Sequence, residues 1–572
     1  MRSTRRIEPA LMNAVLVAAA IGLVVLGVTH IPPAPTVPRY EAANRATPRS
    51  GGTFVYYARD NIRTFDPHFA YDQLSLIGIR LLFDGLLDYD ADGHLIPSLA
   101  EAMPDISEDG LTFTFRIRHG VRFHDGSELT SEDIRWSMHR LLAPATSSPA
   151  VPFYLSIVGA DAYASGEATS IRGIRVVDRY AIEFTLKEAD QTFLNVMAMH
   201  FAYPMKRSVV ERYGNRVGIH PVGTGPFRLE RWERGVEVRF QRHARHFQHN
   251  ARVDRIVLIE NLDATIAVAR FQNGDVDLLT SMSNAHHRFF KSSRAWARNR
   301  WEEPDVMVSG LTMNCEMAPF DDVHVRRAVA YALDRRSRSR LANGRTQPAG
   351  QPIPPQLAGY DPNIPGLQQL DLVAARREMA LAGHPNGLKR PIQVIVGEGD
   401  DGRQSVELLQ QELTPIGIRV EGRAMSFAQY LEETGRRGRA QAFLSAWSMD
   451  FPDPSNFLDP LFHSRSIHDV NSENRSFYVN RDLDQLLDRA RAERDAATRV
   501  AMYREANAIV ARDAPWAFIA NRMSLEVAQP YVRNYRPHPV WFADVRNLWL
   551  DLPRHRVPFA AIVTRPFART TR

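Results

Sequence analysis

Leu111-Thr112-Phe113-Thr114-Phe115-Arg116-Ile117-Arg118-His119-Gly120-Val121-Arg122-Phe123-His124-Asp125-Gly126 shows how this chain builds its elements. From Leu111 to Arg118 apolar and polar residues alternate with period two, which turns one face of a strand to a core and the other to water. Gly120 turns the chain, Val121-Arg122-Phe123 continues it, and Asp125-Gly126 makes the turn into the next element. That element reads as a helix. Thr130 is placed to cap it with Asp133 at the third position, and Ile134, Met138, Leu141 and Leu142 share one face until Pro144 stops it.

The same alternation of strand and helix recurs outward from this stretch. Phe54-Val55-Tyr56-Tyr57 is strand-like and follows Ser50-Gly51-Gly52-Thr53, where the folded part begins. After Asp321-Asp322, residues Val325, Ala328, Val329, Ala332 and Leu333 form a helical stripe, and 481–513 reads as one or two helices rich in arginine and acid at helical spacing. Repeated strand–helix alternation indicates α/β lobes with mixed sheets. At 572 residues the chain is long enough for two to four folding units. Its apolar share of 44% and charged share of 24% allow ordinary globular cores.

The net charge of +6 does not indicate nucleic acid. Arginines are spread along the chain, and only four of its 71 basic residues are lysine, so no basic stripe forms. One cysteine, Cys315, excludes an internal disulfide and any multi-cysteine metal site. Near the start, Arg2, Arg5 and Arg6 precede a run from Leu11 to Ile31 that is apolar except for Asn13, Thr29 and His30. Such a run spans a hydrocarbon core, and the basic flank holds its start in the cytoplasm. The run is longer than a usual signal core and is followed by the stiff spacer Ile31-Pro32-Pro33-Ala34-Pro35-Thr36-Val37-Pro38. An uncleaved anchor in the inner membrane is therefore favoured over a cleaved signal peptide, and either one exports the body to the periplasmic side.

Catalytic patterns are missing from the sequence. It holds no phosphate loop ending in Gly-Lys-Ser/Thr, no His-Glu-x-x-His and no Gly-x-Ser-x-Gly. Gly397-Glu398-Gly399 lacks a third glycine. His243, His246 and His249, like His286-His287, lack acidic or thiol neighbours and read as exposed residues rather than metal ligands. No enzyme, metal or cofactor is expected.

Five ordered segments carry a resemblance. Thr64-Phe65-Asp66-Pro67-His68 leads to Leu81-Leu82-Phe83-Asp84-Gly85-Leu86; Leu99-Ala100-Glu101 leads to the stretch quoted at the outset. Pro221-Val222-Gly223-Thr224-Gly225-Pro226-Phe227 follows, then Pro319-Phe320-Asp321-Asp322 through Arg326-Arg327-Ala328-Val329-Ala330-Tyr331-Ala332-Leu333-Asp334-Arg335. Trp447 to Asp450, with Asp453-Pro454 and Asn456-Phe457-Leu458, completes the set. Together these resemble the family 5 extracellular solute-binding proteins, the peptide- and nickel-binding components of ATP-driven importers.

The resemblance implies a two-lobed periplasmic-binding-protein clamshell of type II kind with an extra subdomain. Lobe I would comprise 50–70, 223–310 and 516–552, with an accessory subdomain of 71–222 inserted in it; lobe II would be 311–515, with hinge crossings near 311 and 515. Residues 1–31 would be the anchor, 32–49 the linker and 553–572 a basic tail. The implied partners are a peptide or peptide-like solute and the permease and ATPase subunits of an ABC importer, with the chain itself a monomer. Gly223 and Gly225 would allow positive φ and a tight crossing. The 447–458 loop is costly to expose unless it lines a cleft, so function is placed there. Trp447 would stack on side chains of varied shape, and by resemblance Asp450 would hold the ligand's α-ammonium group. Tyr71 and Gln73 fall where the family's first lobe faces the ligand, whereas Asp453 and Asn456 would shape the loop. Arg436, Arg437 and Arg439 depart from the family pattern and leave open an acidic solute. A non-peptide solute such as an opine, a sugar or a metal chelate, or an anchored sensor or chaperone, is the alternative.

Overall fold

The computed structural model describes residues 47–552. The membrane helix expected over Leu11–Ile31, most of the proline spacer and the basic tail lie outside these residues. Among the described residues no helix is long and apolar enough to cross a membrane.

A single 12-stranded mixed sheet organises the molecule. On one side Thr53–Tyr57 runs parallel to Arg255–Ile259 and to Leu278–Leu279, and the sheet continues antiparallel through Glu237–Arg242 and Phe227–Glu233. On the other side Ile392–Gly397 runs parallel to Val420–Met425 and Ala442–Ser448, which pairs antiparallel with Met307–Met313. Parallel neighbours require helical crossovers, so both sides carry helices and bury their central strands. Phe54, Phe65, Phe240 and Leu258 build the first lobe's core; Leu311, Val325, Val329 and Val394 build the second's.

The strand Trp516–Ala528 joins the two sides. Its residues 516–520 pair with Met307–Met313 and 520–522 with Thr346–Pro348, whereas 523–527 pair with Arg300–Pro304 and 527–528 with Leu278–Leu279. The strand is buried at both ends and opens to solvent at Arg522, where it leaves one core for the other. The change of partner thus falls at 522–523 and, on the neighbouring chain segment, between Pro304 and Met307, against the 515 and 311 expected from sequence.

The inserted segment has its own four-stranded sheet, in the order Asp105–Ile106, Thr112–Arg116, Ala181–Thr185, Ile174–Asp178. Phe113, Phe115 and Ile117 are buried as the alternation predicts, and Phe115 meets Phe184 edge-on. The helix is Ser131–Leu142 with the Thr130–Asp133 capping box formed and all four stripe residues buried. Val121-Arg122-Phe123 is different: it forms only an isolated bridge, Arg122 to Glu128, because Ala181–Thr185 takes the place beside Thr112–Arg116. The insert's core is also narrower than 71–222. The helix Gln73–Leu82 and residues Tyr203, Met205 and Val217 bury into the first lobe's core, and the insert's cluster runs from Leu86 to Ala202.

Gly223 and Gly225 matter for a reason other than the expected one. Neither has positive φ. A Cβ on Gly223 would lie 2.0 Å from the Leu82 carbonyl oxygen, and one on Gly225 would lie 2.4 Å from the Leu82 carbonyl carbon. Backbone contact, not handedness, requires glycine there. The histidines also depart from expectation. His246 is buried against Asp84 at 3.3 Å and His287 is buried, because both sit on the inner faces of their segments.

Candidate functional site

Two connected cavities lie where the lobes meet. The smaller, of about 210 Å³, is lined from the first-lobe side by Tyr71, Asp72 and Gln73, from the insert by Met199 to Phe201, and from the second lobe by Met307 and Ser448 to Asp450. The larger, of about 630 Å³, shares Asp72, Gln73, Asp305, Arg522 and Phe542 with it and continues along Tyr56 to Arg63 and Thr280 to Met282. The larger volume falls in the range usual for small-molecule sites.

Each wall is held rigidly. Asp72 caps the helix Gln73–Leu82 by accepting from the Ser75 amide at 2.9 Å, which sets Tyr71 and Gln73 at its mouth. Behind them Arg80, Asp88, Asp544 and Arg546 form a buried ion network. Trp541 Nε1 donates to Asp88 Oδ1 at 2.8 Å and its ring lies under the Arg80 guanidinium, fixing the Trp541-Phe542 wall. Burial opposes ionisation of Asp88, but the charges of Arg546 and Arg80 overcome it and hold the pKa down at about 2. On the opposite side Asp453, 4% exposed, takes a two-pronged bond from Arg499 at 2.8 Å on each oxygen. Arg491 and Arg465 converge on a single oxygen of Asp459, Oδ2. Arg491 and Arg499 thus serve, across space, the segment expected as a loop, which runs from the strand Ala442–Ser448 into the helix Ser455–Phe462, rather than pairing with acids along their own helices, Arg481–Ala492 and Ala496–Asp513.

Asp450 is the chemical centre of this arrangement. Its Oδ1 accepts from the Tyr71 hydroxyl at 2.8 Å, a bond across the cleft between residues 379 apart in sequence. Its Oδ2 accepts from Asn456 Nδ2 at 3.1 Å, and its own amide donates to Asn456 Oδ1 at 2.8 Å. No cationic side chain pairs with it among the described residues. Burial pushes its pKa up to about 6, against the lowering effect of the Asn456 and Tyr71 bonds. Asp450 is thus a desolvated carboxylate, oriented by two neutral donors and lacking a counter-charge.

Of the sequence-predicted residues, Tyr71, Gln73 and Asp450 converge on the smaller cavity, but Trp447 does not line it. Trp447 sits opposite Val308 in the sheet and packs against the second lobe's core. Strand alternation explains this: Ser448 faces the cleft, so Trp447 faces away. Arg437 pairs with Glu316 and Asp469, Arg436 with Glu432 and Arg439 with Glu433, and none lines either cavity. Asn456, expected to shape the loop, does so by holding Asp450 through two bonds, whereas Asp305, Arg522 and Phe542 were not singled out from sequence. Asn456 lay in the quoted loop, and the other three had no local signal.

The family model for bacterial extracellular solute-binding proteins, family 5, middle, matches residues 94–469. The chain belongs to this family. As a family 5 member it is 28% identical over 475 residues to "Di/tripeptide-binding protein 2" of Pseudomonas aeruginosa, covering 80% of this chain and 87% of that one. It is 27% identical over 466 residues to the glutathione-binding protein GsiB of Escherichia coli, covering 80% and 86%. Among solved structures, "Clavulanic acid biosynthesis oligopeptide binding protein 2" superposes with a TM-score of 0.80 at 26% identity, covering 91% of this chain and 100% of that one. DppA of Helicobacter pylori in complex with peptide STSA superposes at 0.73 and 24% identity, covering 88% and 99%. The last of these shows the fold alone. The mixed sheet whose two sides share Trp516–Ala528 accords with the fold of these relatives.

Proposed function

We propose that the chain captures short peptides in the interlobe cleft, pairs their α-ammonium group with Asp450, and delivers them to the permease and ATPase subunits of an ABC importer. The observation that carries this is the carboxylate of Asp450: half-buried, oriented by Tyr71 and Asn456, and without a cation among the described residues. A buried unpaired carboxylate is costly, and an ammonium ligand both offsets that cost and forms a charge-assisted bond. Relatives named for di/tripeptides and for glutathione, itself a modified tripeptide, support the ligand class. The lobes would turn about Pro304–Met307 and the exposed middle of Trp516–Ala528, the two places where the sheet changes partners. Closure is favoured only by as much as the peptide binds the closed form better. With those turning points, the lobe I segments expected as 223–310 and 516–552 shift to 223–304 and 523–552, beside 50–70 and the insert, and lobe II shifts from 311–515 to 307–522. Tyr71 and Gln73 would meet the peptide's first residues, and Trp447 would support the sheet behind Ser448. The protein would act as a monomer on the periplasmic side of the inner membrane, tethered by its N-terminal segment. Calorimetric titration of di- and tripeptides into the full-length protein, and into Asp450→Asn, tests this. Equal affinity for free and N-acetylated peptides would refute it.

A further inference from the structure

A third cavity, of about 390 Å³, is walled entirely by second-lobe residues and shares no lining residue with the two interlobe cavities. Its volume falls in the range usual for small-molecule sites. Asn521 lines it, whereas the next residue, Arg522, lines both interlobe cavities. Neighbouring residues of a strand point to opposite faces, so the sheet itself separates this cavity from the solute cleft.

Arg335 is the group in its wall that calls for an occupant. It is 5% exposed, and no carboxylate pairs with it among the described residues. Its Nε–H is shared between the carbonyls of Ala349 and Phe518 at 2.9 and 2.7 Å, and Nη1 donates to those of Ala330 and Leu333 at 3.0 and 3.1 Å. Nη2 donates to Gln368 Oε1 at 3.2 Å, its one bond among the described residues, which leaves its second proton without an acceptor. Every partner is neutral, and burial pulls the guanidinium pKa down to about 9. Glu412 acts on Arg335 through its charge but is held by Arg338 in a two-pronged pair. A buried charge without a counter-charge is costly, so an anion brought to this wall is favoured. The rest of the lining agrees. Arg336 is exposed and has no ion pair among the described residues. The one lining carboxylate, Asp334, is committed to the Ser337 amide at 2.9 Å and the Ser337 hydroxyl at 2.5 Å. Ile353, Leu367 and Leu370 supply an apolar wall, and Leu370 stands 47% exposed.

We propose that this cavity is a second ligand site, separate from the solute cleft, and takes a small organic carboxylate. The carboxylate accepts the spare Nη2 proton of Arg335, with Arg336 adding charge, and an apolar body lies on Ile353, Leu367 and Leu370. Two guanidinium groups beside a committed acid disfavour a cation. The apolar wall favours an organic acid over an inorganic ion, because covering Leu370 adds hydrophobic gain to the charged hydrogen bond. The inference does not depend on the peptide assignment, since the two sites share no lining residue.

The test is saturation-transfer NMR titration of the full-length protein with hexanoate and its neutral counterpart hexanamide, with inorganic phosphate as competitor. The expected result is binding of hexanoate about tenfold or more tighter than of hexanamide, as for one charged hydrogen bond. Arg336→Gln should weaken hexanoate about two- to fivefold, as for an exposed charge. Leu370→Glu, which sets an acid beside the carboxylate, should weaken hexanoate more than hexanamide. Arg345→Gln, on the wall of the larger interlobe cavity, should change neither. Arg335→Met should bring the ratio of the two affinities near one in whatever fraction folds, because both probes meet the same protein. Should that variant not fold, the Arg336 and Leu370 variants decide. Equal binding of hexanoate and hexanamide, no binding of either, or hexanoate binding unchanged in both Arg336→Gln and Leu370→Glu overturns the site. Loss of hexanoate binding in Arg345→Gln overturns it too, by placing the probe in the cleft. Phosphate that displaces hexanoate at equal concentration overturns the organic-acid class.

Discussion

Asp450→Asn should make the empty protein more stable and the transporter's receptor useless. In the unliganded cleft burial moves the Asp450 pKa from the ordinary 3.8 to about 6. At about 1.36 kcal/mol per unit, the buried charge costs on the order of 3 kcal/mol at neutral pH, trimmed by the residue's partial exposure. The folded value lies above the unfolded one, so the native state holds the extra proton between these two values. The contribution to stability is present below pH ~4 and is lost as pH rises through about 6. Asparagine is nearly isosteric and carries no charge, so the variant should melt higher at pH 7, with the difference vanishing near pH 4. Peptide binding goes the other way. Removing one partner of a buried charge pair costs about 2–5 kcal/mol, or roughly 30-fold to several thousand-fold in Kd. In the unsubstituted protein affinity should fall below pH 6 by up to about tenfold per pH unit, with proton uptake preceding release of the peptide. Calorimetry at several pH values and thermal melts of both proteins provide the readings. A variant that melts lower at pH 7, or binds peptide within threefold of the original, refutes the desolvated-carboxylate account.

Three other perturbations separate the scaffold from the site. Arg499→Ala leaves Asp453 buried without its two-pronged partner and should cost about 3–5 kcal/mol, read by chemical denaturation, with peptide affinity falling as the loop loosens. Gly225→Ala drives a Cβ to 2.4 Å from the Leu82 carbonyl carbon, and expression of folded protein should fall sharply by circular dichroism, whereas Gly397→Ala, which has open space and no positive φ, should fold. Arg437→Gln removes a solvated pair with Glu316 remote from both cavities and should leave affinity for acidic and neutral peptides within about twofold.

Much of the fold was legible because its signals are local. The Phe113–Phe115 alternation, the Thr130–Asp133 box and the Val325–Leu333 stripe each depend on a few neighbouring residues, and each formed as read. The partner of Thr112–Arg116 was not legible, because Ala181–Thr185 lies far from it in sequence. Asp450 was picked out by the resemblance of Trp447–Asp450 to the family's loop, and the structure sets it on the smaller interlobe cavity. Trp447 was misassigned to the pocket, although parity from Ser448 along one strand would have turned it inward. The arginines at 436–439 drew attention as charges, but charge in sequence does not reveal whether Glu316, Glu432 and Glu433 stand beside them.

The sequence by itself determined the element types and, through its ordered motifs, the family, because periodicity, caps and motifs are written in adjacent residues. Only the tertiary structure decided which groups meet at the cleft. Tyr71 reaches Asp450 from 379 residues away, and Arg522 is exposed only because its strand leaves one core for another there. Such contacts arise from sheet pairing at long range, and pairing is set by the packing of whole cores rather than by any residue's own neighbours.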